Sequence, residues 1–348
     1  MKANPGNFFE DFRLGQEIRH ATPRTVTTGD AALYIGLTGS RFALHASDEF
    51  ARAIGFERAP IDDLLAFNIV FGKTVPDVSL NAIANLGYAN GRFGAPVFAG
   101  DTLSTRSTVI GLKENSSHET GVVYVHSIGT NQRSAVVLDF VRWVMVRKRD
   151  RNAPPPEAVV PNLPARVSAA DLTVPEKLDL AAYDVGAAGS SHRWGDYRAG
   201  ERIDHVDGMT IEDSCHMIAT RLYQNTARVH FNQHAEKDGR FGRRIVYGGH
   251  VMSLARALSF NGLGNAFHIA AINGGRHVAP SFAGDTIYAW SEVKEKAALA
   301  ERADVGALHL RTVATKDQPC AEFPDAGPDG KPHPAMVLDL DYWVLLPR

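Results

Sequence analysis

The sequence predicts an α+β protein built from two copies of one unit, in which an antiparallel sheet wraps around a buried central helix. Three observations predict this fold. The chain contains a long internal repeat, an apolar helical segment follows a Gly-Gly pair, and several segments of alternating hydrophobicity come after that helix. The 348 residues are therefore expected to form two related units.

The internal repeat extends over most of the chain. FEDFRLGQEIRH at 9–20 returns as WGDYRAGERIDH at 194–205, and GRFGAPVFAGDT at 91–102 returns as GRHVAPSFAGDT at 275–286. A stretch rich in Pro and Gly at 321–334 occurs only in the second copy and is predicted to be a surface loop. We expect units at 1–150 and 185–348, joined by a proline-rich linker at 151–184 that is irregular where it begins.

Each unit is predicted to begin with a helix, from Thr28 or Asp213, that ends just before a histidine. After a loop comes the apolar helix, in which Val251, Leu254 and Leu258 form one stripe and the other faces are apolar too, so it should be buried. Strands are predicted at 103–110, 121–128, 135–146, 286–293, 308–315 and 336–346. Because a single such unit leaves a sheet edge exposed, the two sheets should join edge to edge.

Composition and charge exclude several classes of function. The formal net charge is −2 with scattered Lys and Arg, so no extended basic surface for nucleic acid is expected. Cys215 and Cys320 are too few for a disulfide framework. Neither an apolar leader nor a membrane-length apolar run of about 18 residues is present. These features favour a cytoplasmic protein that acts on a small molecule.

The candidate site lies around His230 and the pair Gly248 and Gly249. An imidazole can act as an acid or base, and glycines at a helix start can present N–H groups to a ligand at the positive end of the helix dipole. The alternative is that the glycines only permit a tight turn. His234 follows His230 at helical spacing, as in some metal sites, but no third ligand has diagnostic spacing, so no metal is expected.

Further candidates flank these residues. Arg228 and Arg244 are aligned with alanines in the first copy, so they are the better candidates to bind a carboxylate or phosphate. Arg243 and Arg276 recur in both copies, which favours a structural role. Tyr247 and His250, beside the glycines, could contact substrate or belong to the core and the helix start.

LTGSRFALH at 37–45, PVFAGD at 96–101 and the tandem arrangement resemble the MaoC-like, R-specific enoyl-CoA hydratases, which have the hotdog fold. The resemblance covers nearly the whole chain outside the linker. It implies a double hotdog fold, an acyl-CoA thioester partner, reversible addition of water and no cofactor. YQNTARVHFN at 223–232, together with RIVYGGHV at 244–251, indicates mesaconyl-CoA as the substrate. Another enoyl-CoA, itaconyl-CoA, or non-catalytic binding of an acyl-CoA are the alternatives.

The family's motif has an Asp five residues before the catalytic His and a Gly eighteen residues after it. In the second copy these positions hold Asn225 and Gly248, whereas the first copy has Ser40 and Asp63. The resemblance therefore implies one active site per chain, with His230 as base and the Gly248 N–H polarising the thioester. Asn225 cannot ionise and is expected only to orient the water.

By the same reasoning, the first unit is expected to shape the acyl pocket and the CoA channel, with His45 structural. With Asn225 in place of the Asp, the base is expected to be His230 or an ionisable neighbour. A homo-oligomer is compatible with the sequence.

Overall fold

The structure is a computed structural model that describes residues 2–348. Within that range the strands are β1 Glu17–Thr25, β2 Ala82–Phe93, β3 Thr102–Glu114, β4 Thr120–Thr130, β5 Val136–Arg147, β6 Arg202–Asp204, β7 Met209–Thr210, β8 His268–His277, β9 Thr286–Leu299, β10 Arg302–Lys316 and β11 Met336–Pro347. The helices are α1 Thr28–Thr38, α2 Ala43–Ala46, α3 Asp48–Ala53, α4 Asp63–Thr74, α5 Asp213–Leu222, α6 Arg228–Phe231, α7 Gln233–Glu236, α8 Gly248–Leu258 and α9 Phe260–Leu263.

The six strands predicted from alternating hydrophobicity are confirmed as β3, β4, β5, β9, β10 and β11, most of them longer than expected. In β3 the side chains alternate between buried and more exposed positions along most of the strand, which is the pattern that made it recognisable. The strands β1, β2, β6, β7 and β8 were missed. The first six residues of β8 are all buried, so this part of the strand shows no alternation, and two glycines lie near its end.

One antiparallel sheet runs through both units. Its strand order is β1-β3-β4-β5-β2-β8-β11-β10-β9-β6, and β7 pairs with β9. The units meet where β2 pairs with β8, with Tyr88 opposite Gly275 and Arg92 opposite Ala271. A Cβ on Gly275 would lie 2.9 Å from the Tyr88 ring, so the glycine lets this ring pack against the junction. The expected edge-to-edge joining of the two sheets is confirmed.

Two buried helices, α4 and α8, lie against the sheet at the centre of the molecule. Every residue of α4 after Asp63 is buried, and so is every residue of α8 after Gly248, which confirms the predicted buried helix. The two helices touch, since the side-chain amide of Asn68 donates to the Ser253 hydroxyl at 3.1 Å. The start of α8 is therefore enclosed by the first unit.

The segment at 151–184 has little regular structure but packs tightly. Its start is irregular, as predicted, and one isolated bridge joins Val159 to Leu112. Further along, Val167, Leu178 and Tyr183 are buried, and the Tyr183 hydroxyl donates to Asn265 at 3.0 Å. This segment therefore contacts both units. The boundaries proposed for the units remain predictions.

The insertion of the second unit lies in the loop between β10 and β11. Residues 326–331 are exposed, as expected of a surface loop, while Asp325 binds the Arg311 guanidinium of β10 at 2.8 Å. None of the helices between residues 2 and 348 has both the length and the apolar character needed to cross a membrane.

Candidate active site

His230 lies on the short helix α6, half-buried, with its ring fixed by the main chain. Its Nδ1 is 3.0 Å from the carbonyl oxygen of Ile245. A carbonyl can only accept, so Nδ1 carries the hydrogen and Nε2 keeps a free lone pair. Burial lowers the pKa of His230 to about 4. The imidazole is therefore neutral near pH 7 and can act as a base.

The start of α8 presents two N–H groups directly after Tyr247, whose ring contacts this imidazole. Among the residues described, the N–H groups of Gly248 and Gly249 have no hydrogen-bond acceptor. The ring of Tyr247, which precedes them, is 5.5 Å from the ring of His230. Free N–H groups at a helix start attract a partial negative charge. This geometry suits a thioester carbonyl.

His277, at the end of β8, is a site residue that sequence reasoning missed. A Cβ on Gly248 would lie 2.4 Å from Cε1 of His277, so the two are in direct contact and only glycine fits. Nε2 of His277 and the Tyr88 hydroxyl of the first unit are hydrogen-bonded at 3.1 Å. Burial, and then the nearby His230, lower the pKa of His277 to about 4. The repeat could have revealed His277, because the first copy has Phe93 at the aligned position and the histidine occurs only in the second copy.

Asn225 is buried on the loop between α5 and α6. Its side-chain oxygen accepts from the N–H of Ala227 at 3.0 Å and thereby shapes the turn that leads to His230. The amide NH₂ has no partner among the described residues, so it is free to donate. Asn225 also lines a cavity of about 510 Å³ between the units. A donor on a cavity wall fits the predicted contact with water.

The other predicted site residues have different surroundings. Tyr247 and His250 are buried, and the Tyr247 hydroxyl and His250 Nδ1 have no hydrogen-bond partner within the described range. Arg244 pairs with Asp213 at 2.6 Å. Arg228 is exposed and makes no salt bridge in the part of the chain that the structure describes. The Tyr247 ring packs against that of His230, and Arg244 is largely buried, so of these residues only Arg228 lies at the surface.

Near His230, the buried His216 of α5 adds a further imidazole that the sequence did not single out. Its Nε2 is 3.6 Å from Asp213, and burial, followed by the charge of Arg244, lowers its pKa. His234 lies exposed on the separate helix α7. No group of three potential metal-ligating side chains occurs between residues 2 and 348.

In the first unit, the space that corresponds to the surroundings of His230 and Gly248 is filled by side chains. Nδ1 of His45 donates to the carbonyl of Pro60 at 3.2 Å, just as Nδ1 of His230 donates to the carbonyl of Ile245. However, Asp63 stands at the start of α4, where it accepts from the N–H of Ile269 at 2.7 Å and pairs with His268 at 2.9 Å. The remaining cavity is about 20 Å³, room for roughly one water molecule.

The charge of Asp63 makes this filled position unsuitable for an oxyanion. Burial alone would raise the pKa of the carboxyl, but the neighbouring imidazoles of His268 and His45 outweigh it, so the pKa is lowered. Asp63 is therefore ionised at neutral pH. Ser40, in the place of Asn225, donates to Asp62 at 3.2 Å.

The double hotdog fold and the residues gathered around His230 and Gly248 define the chain as a MaoC-like dehydratase. A crystal structure described as a MaoC domain protein dehydratase from Chloroflexus aurantiacus is 68% identical, with a TM-score of 0.98, over 100% of this chain and 99% of that chain. A Mycobacterium tuberculosis protein described as a double hotdog is 26% identical, with a TM-score of 0.77 over 99% of each chain.

Residues 2–322 match the mesaconyl-CoA hydratase family. The sequence is 68% identical to the β-methylmalyl-CoA dehydratase of Chloroflexus aurantiacus, over 100% of this chain and 99% of the relative. It is 59% identical to the mesaconyl-CoA hydratase of Cereibacter sphaeroides over 100% of both. The chain therefore belongs to the mesaconyl-CoA hydratase family, a family of hydro-lyases, and the predicted fold and family are confirmed.

Proposed function

We propose that the chain catalyses the reversible hydration of mesaconyl-CoA to β-methylmalyl-CoA. The observation that carries this proposal is the imidazole of His230, whose Nδ1 donates to a carbonyl and leaves Nε2 as an acceptor, packed against the ring of Tyr247, which directly precedes the unpaired N–H groups that start α8. An enoyl thioester needs both a base for water and a donor for the carbonyl oxygen. The family relationship supports the choice of acyl group.

In the hydration direction, the thioester carbonyl accepts a hydrogen bond from the Gly248 N–H, which makes the β-carbon more electrophilic. Nε2 of His230 takes a proton from water as the water oxygen bonds to the β-carbon. Negative charge moves to the thioester oxygen, where the N–H group and the α8 dipole stabilise it. The proton then passes from His230 to the α-carbon, so that one water has added across the double bond.

Asn225 and His277 support this step in different ways. The free NH₂ of Asn225 donates to the water oxygen and orients its proton toward His230. His277, held by the Tyr88 hydroxyl and in contact with Gly248, borders the place where the thioester oxygen would lie. Because Asn225 cannot ionise, His277 is the imidazole best placed to assist His230. The first unit thus contributes to the site through Tyr88.

The test is the disappearance of the enoyl-thioester absorbance with mesaconyl-CoA, itaconyl-CoA and crotonyl-CoA as substrates. We expect the highest kcat/KM with mesaconyl-CoA. A higher value with itaconyl-CoA would favour that alternative substrate. Tight binding of these thioesters without turnover of any would show a non-catalytic acyl-CoA-binding protein and overturn the proposal. We also propose a cytoplasmic location, which the two free cysteines support. Self-association of the chain is a separate proposal.

A further inference from the structure

The cavity of about 510 Å³ between the units has a positively charged lining. Among its lining residues are two cations, Lys73 from α4 and Arg221 from the end of α5, and none is an aspartate or glutamate. Asn225 lines the same cavity. The cavity is thus electrostatically suited to an anion and adjoins the proposed water-orienting residue.

Lys73 is an unusual residue for its position. Its relative exposure is 3%, and its ammonium donates to the carbonyl of Thr22 and, at 3.2 Å, to the side-chain oxygen of Gln224. No carboxylate lies within salt-bridge distance among the residues described. The corresponding residue of α8 is the buried Leu258. A buried cation is costly unless it is paired, and neutral donors would serve equally well to tie the two units together.

The neighbours of Lys73 place its ammonium close to the proposed active site. Gln224, which it contacts, directly precedes Asn225. A Cβ on Gly72 would lie 1.9 Å from the carbonyl oxygen of Tyr223, so glycine at this position lets the loop that carries Asn225 approach α4 closely.

We propose that Lys73 is the cation of an anion-binding subsite for the acyl-CoA, which takes either the free carboxylate of the acyl group or a phosphate of CoA. The proposal rests on the proposed function. Because Lys73 and Asn225 line the same cavity, the carboxylate is favoured. In a dicarboxylic enoyl group such as mesaconyl, the free carboxylate is attached to the carbon that receives water. A lysine ammonium is a point charge that can bind either anion.

The experiment measures equilibrium binding by calorimetry, using thioesters that cannot be hydrated, so that it does not depend on turnover. The ligands are succinyl-CoA, butyryl-CoA, and the succinyl and butyryl thioesters of pantetheine, which lack phosphates. Wild type is compared with Lys73→Met, Lys73→Arg and the exposed-wall variant Arg221→Met. Lys113→Met, on an exposed position of β3, is the matched control. Circular dichroism verifies the fold of each variant.

For Lys73→Met we expect succinyl thioesters to bind roughly tenfold or more weakly, with butyryl thioesters unchanged and Lys73→Arg largely restoring affinity. Weaker binding of both CoA thioesters, but of neither pantetheine thioester, would also support the subsite and assign it to a phosphate. Unchanged affinities, or equal loss for all four ligands, would overturn the proposal. If Lys73→Met does not fold, Lys73→Gln, whose uncharged amide can still donate to the carbonyl of Thr22, decides between these outcomes in the same way. Wild-type turnover of mesaconyl-CoA separately tests the proposed function.

Discussion

At the scale of single residues, the two histidines of the repeat have the same main-chain anchor but different neighbours. Nδ1 of each donates to a carbonyl, yet Nε2 of His230 is free whereas Nε2 of His45 is 3.8 Å from the Asp63 carboxylate. His45 thus lies beside a fixed carboxylate, in a region where the cavity of about 20 Å³ is too small for a substrate. The difference between the copies therefore lies in what surrounds the histidine.

Replacement of each histidine by alanine tests this difference. We expect His230→Ala to lower kcat on the order of 10²–10⁴-fold, because it removes the general base. His45→Ala should leave kcat nearly unchanged and lower the melting temperature, because it removes a buried contact of Asp63. Steady-state hydration kinetics and thermal unfolding of both variants provide the measurement. Equal losses of kcat in folded samples of both would show that the first unit takes part in the chemistry.

The role of His277 can be tested by replacing it with phenylalanine, the residue at the aligned position of the first copy. His277→Phe keeps a ring of similar size at the start of α8 but removes the hydrogen bond to Tyr88. We expect kcat to fall at least about tenfold, as is usual when a site loses a polar group that acts at the transition state. Tyr88→Phe, which removes only the hydroxyl, should cause a smaller loss. Full activity of His277→Phe would reduce this histidine to a packing role.

At the scale of elements, the starts of the two central helices determine which unit can bind a thioester oxygen. α8 begins with glycine and exposes N–H groups, whereas α4 begins with Asp63, whose carboxylate binds β8 of the other unit through His268 and the N–H of Ile269. The same helix position thus attaches the units to each other in the first copy, and in the second copy it is the proposed donor to the thioester oxygen. The fold therefore does not require a glycine at this helix position.

Asp63→Asn tests the attachment between units. The amide keeps the size of the side chain but removes the negative charge that His268 and His45 face. We expect the free energy of unfolding to fall by about 1–3 kcal/mol, since a largely buried charged hydrogen bond is lost. Chemical denaturation measures this change, and kcat with mesaconyl-CoA should stay within about twofold of wild type. A tenfold loss of kcat at unchanged stability would contradict the structural assignment.

At the scale of the whole molecule, we expect four histidines to make the protein sensitive to acid, of which His205 and His250 are buried and His230 and His277 half-buried. Burial lowers the pKa values of His205, His230, His250 and His277 from 6.5 to about 4 each. Between pH 6.5 and about 4 the unfolded chain therefore binds more protons than the folded protein. The free energy of unfolding must fall as pH decreases through this window, and the histidine contribution levels off below about pH 4.

We expect the melting temperature to drop by at least about 5 °C between pH 6.5 and pH 4.5. Differential scanning calorimetry at closely spaced pH values measures the change. His277→Phe removes one of the four groups and should make the dependence shallower than in wild type. A melting temperature that stays constant through this window would show that these histidines are not held neutral in the folded protein.

The sequence by itself determined the duplicated organisation, the buried helix after Gly248 and the inequality of the two copies. These features are local, since they are written in a repeat, in a helical period and in which residue stands at a motif position. His230 and Gly248 could therefore be selected as the candidate site from the order of the residues alone.

Only the tertiary structure decided which distant residues meet. The pairing of β2 with β8 brings Tyr88 to His277, and the packing of α4 against the second unit brings Lys73 to Gln224 beside Asn225. The strands that form the junction lack the regular alternation that would reveal them in the sequence. Contacts across so many residues depend on strand register and helix packing, and periodicity within one segment carries no information about either.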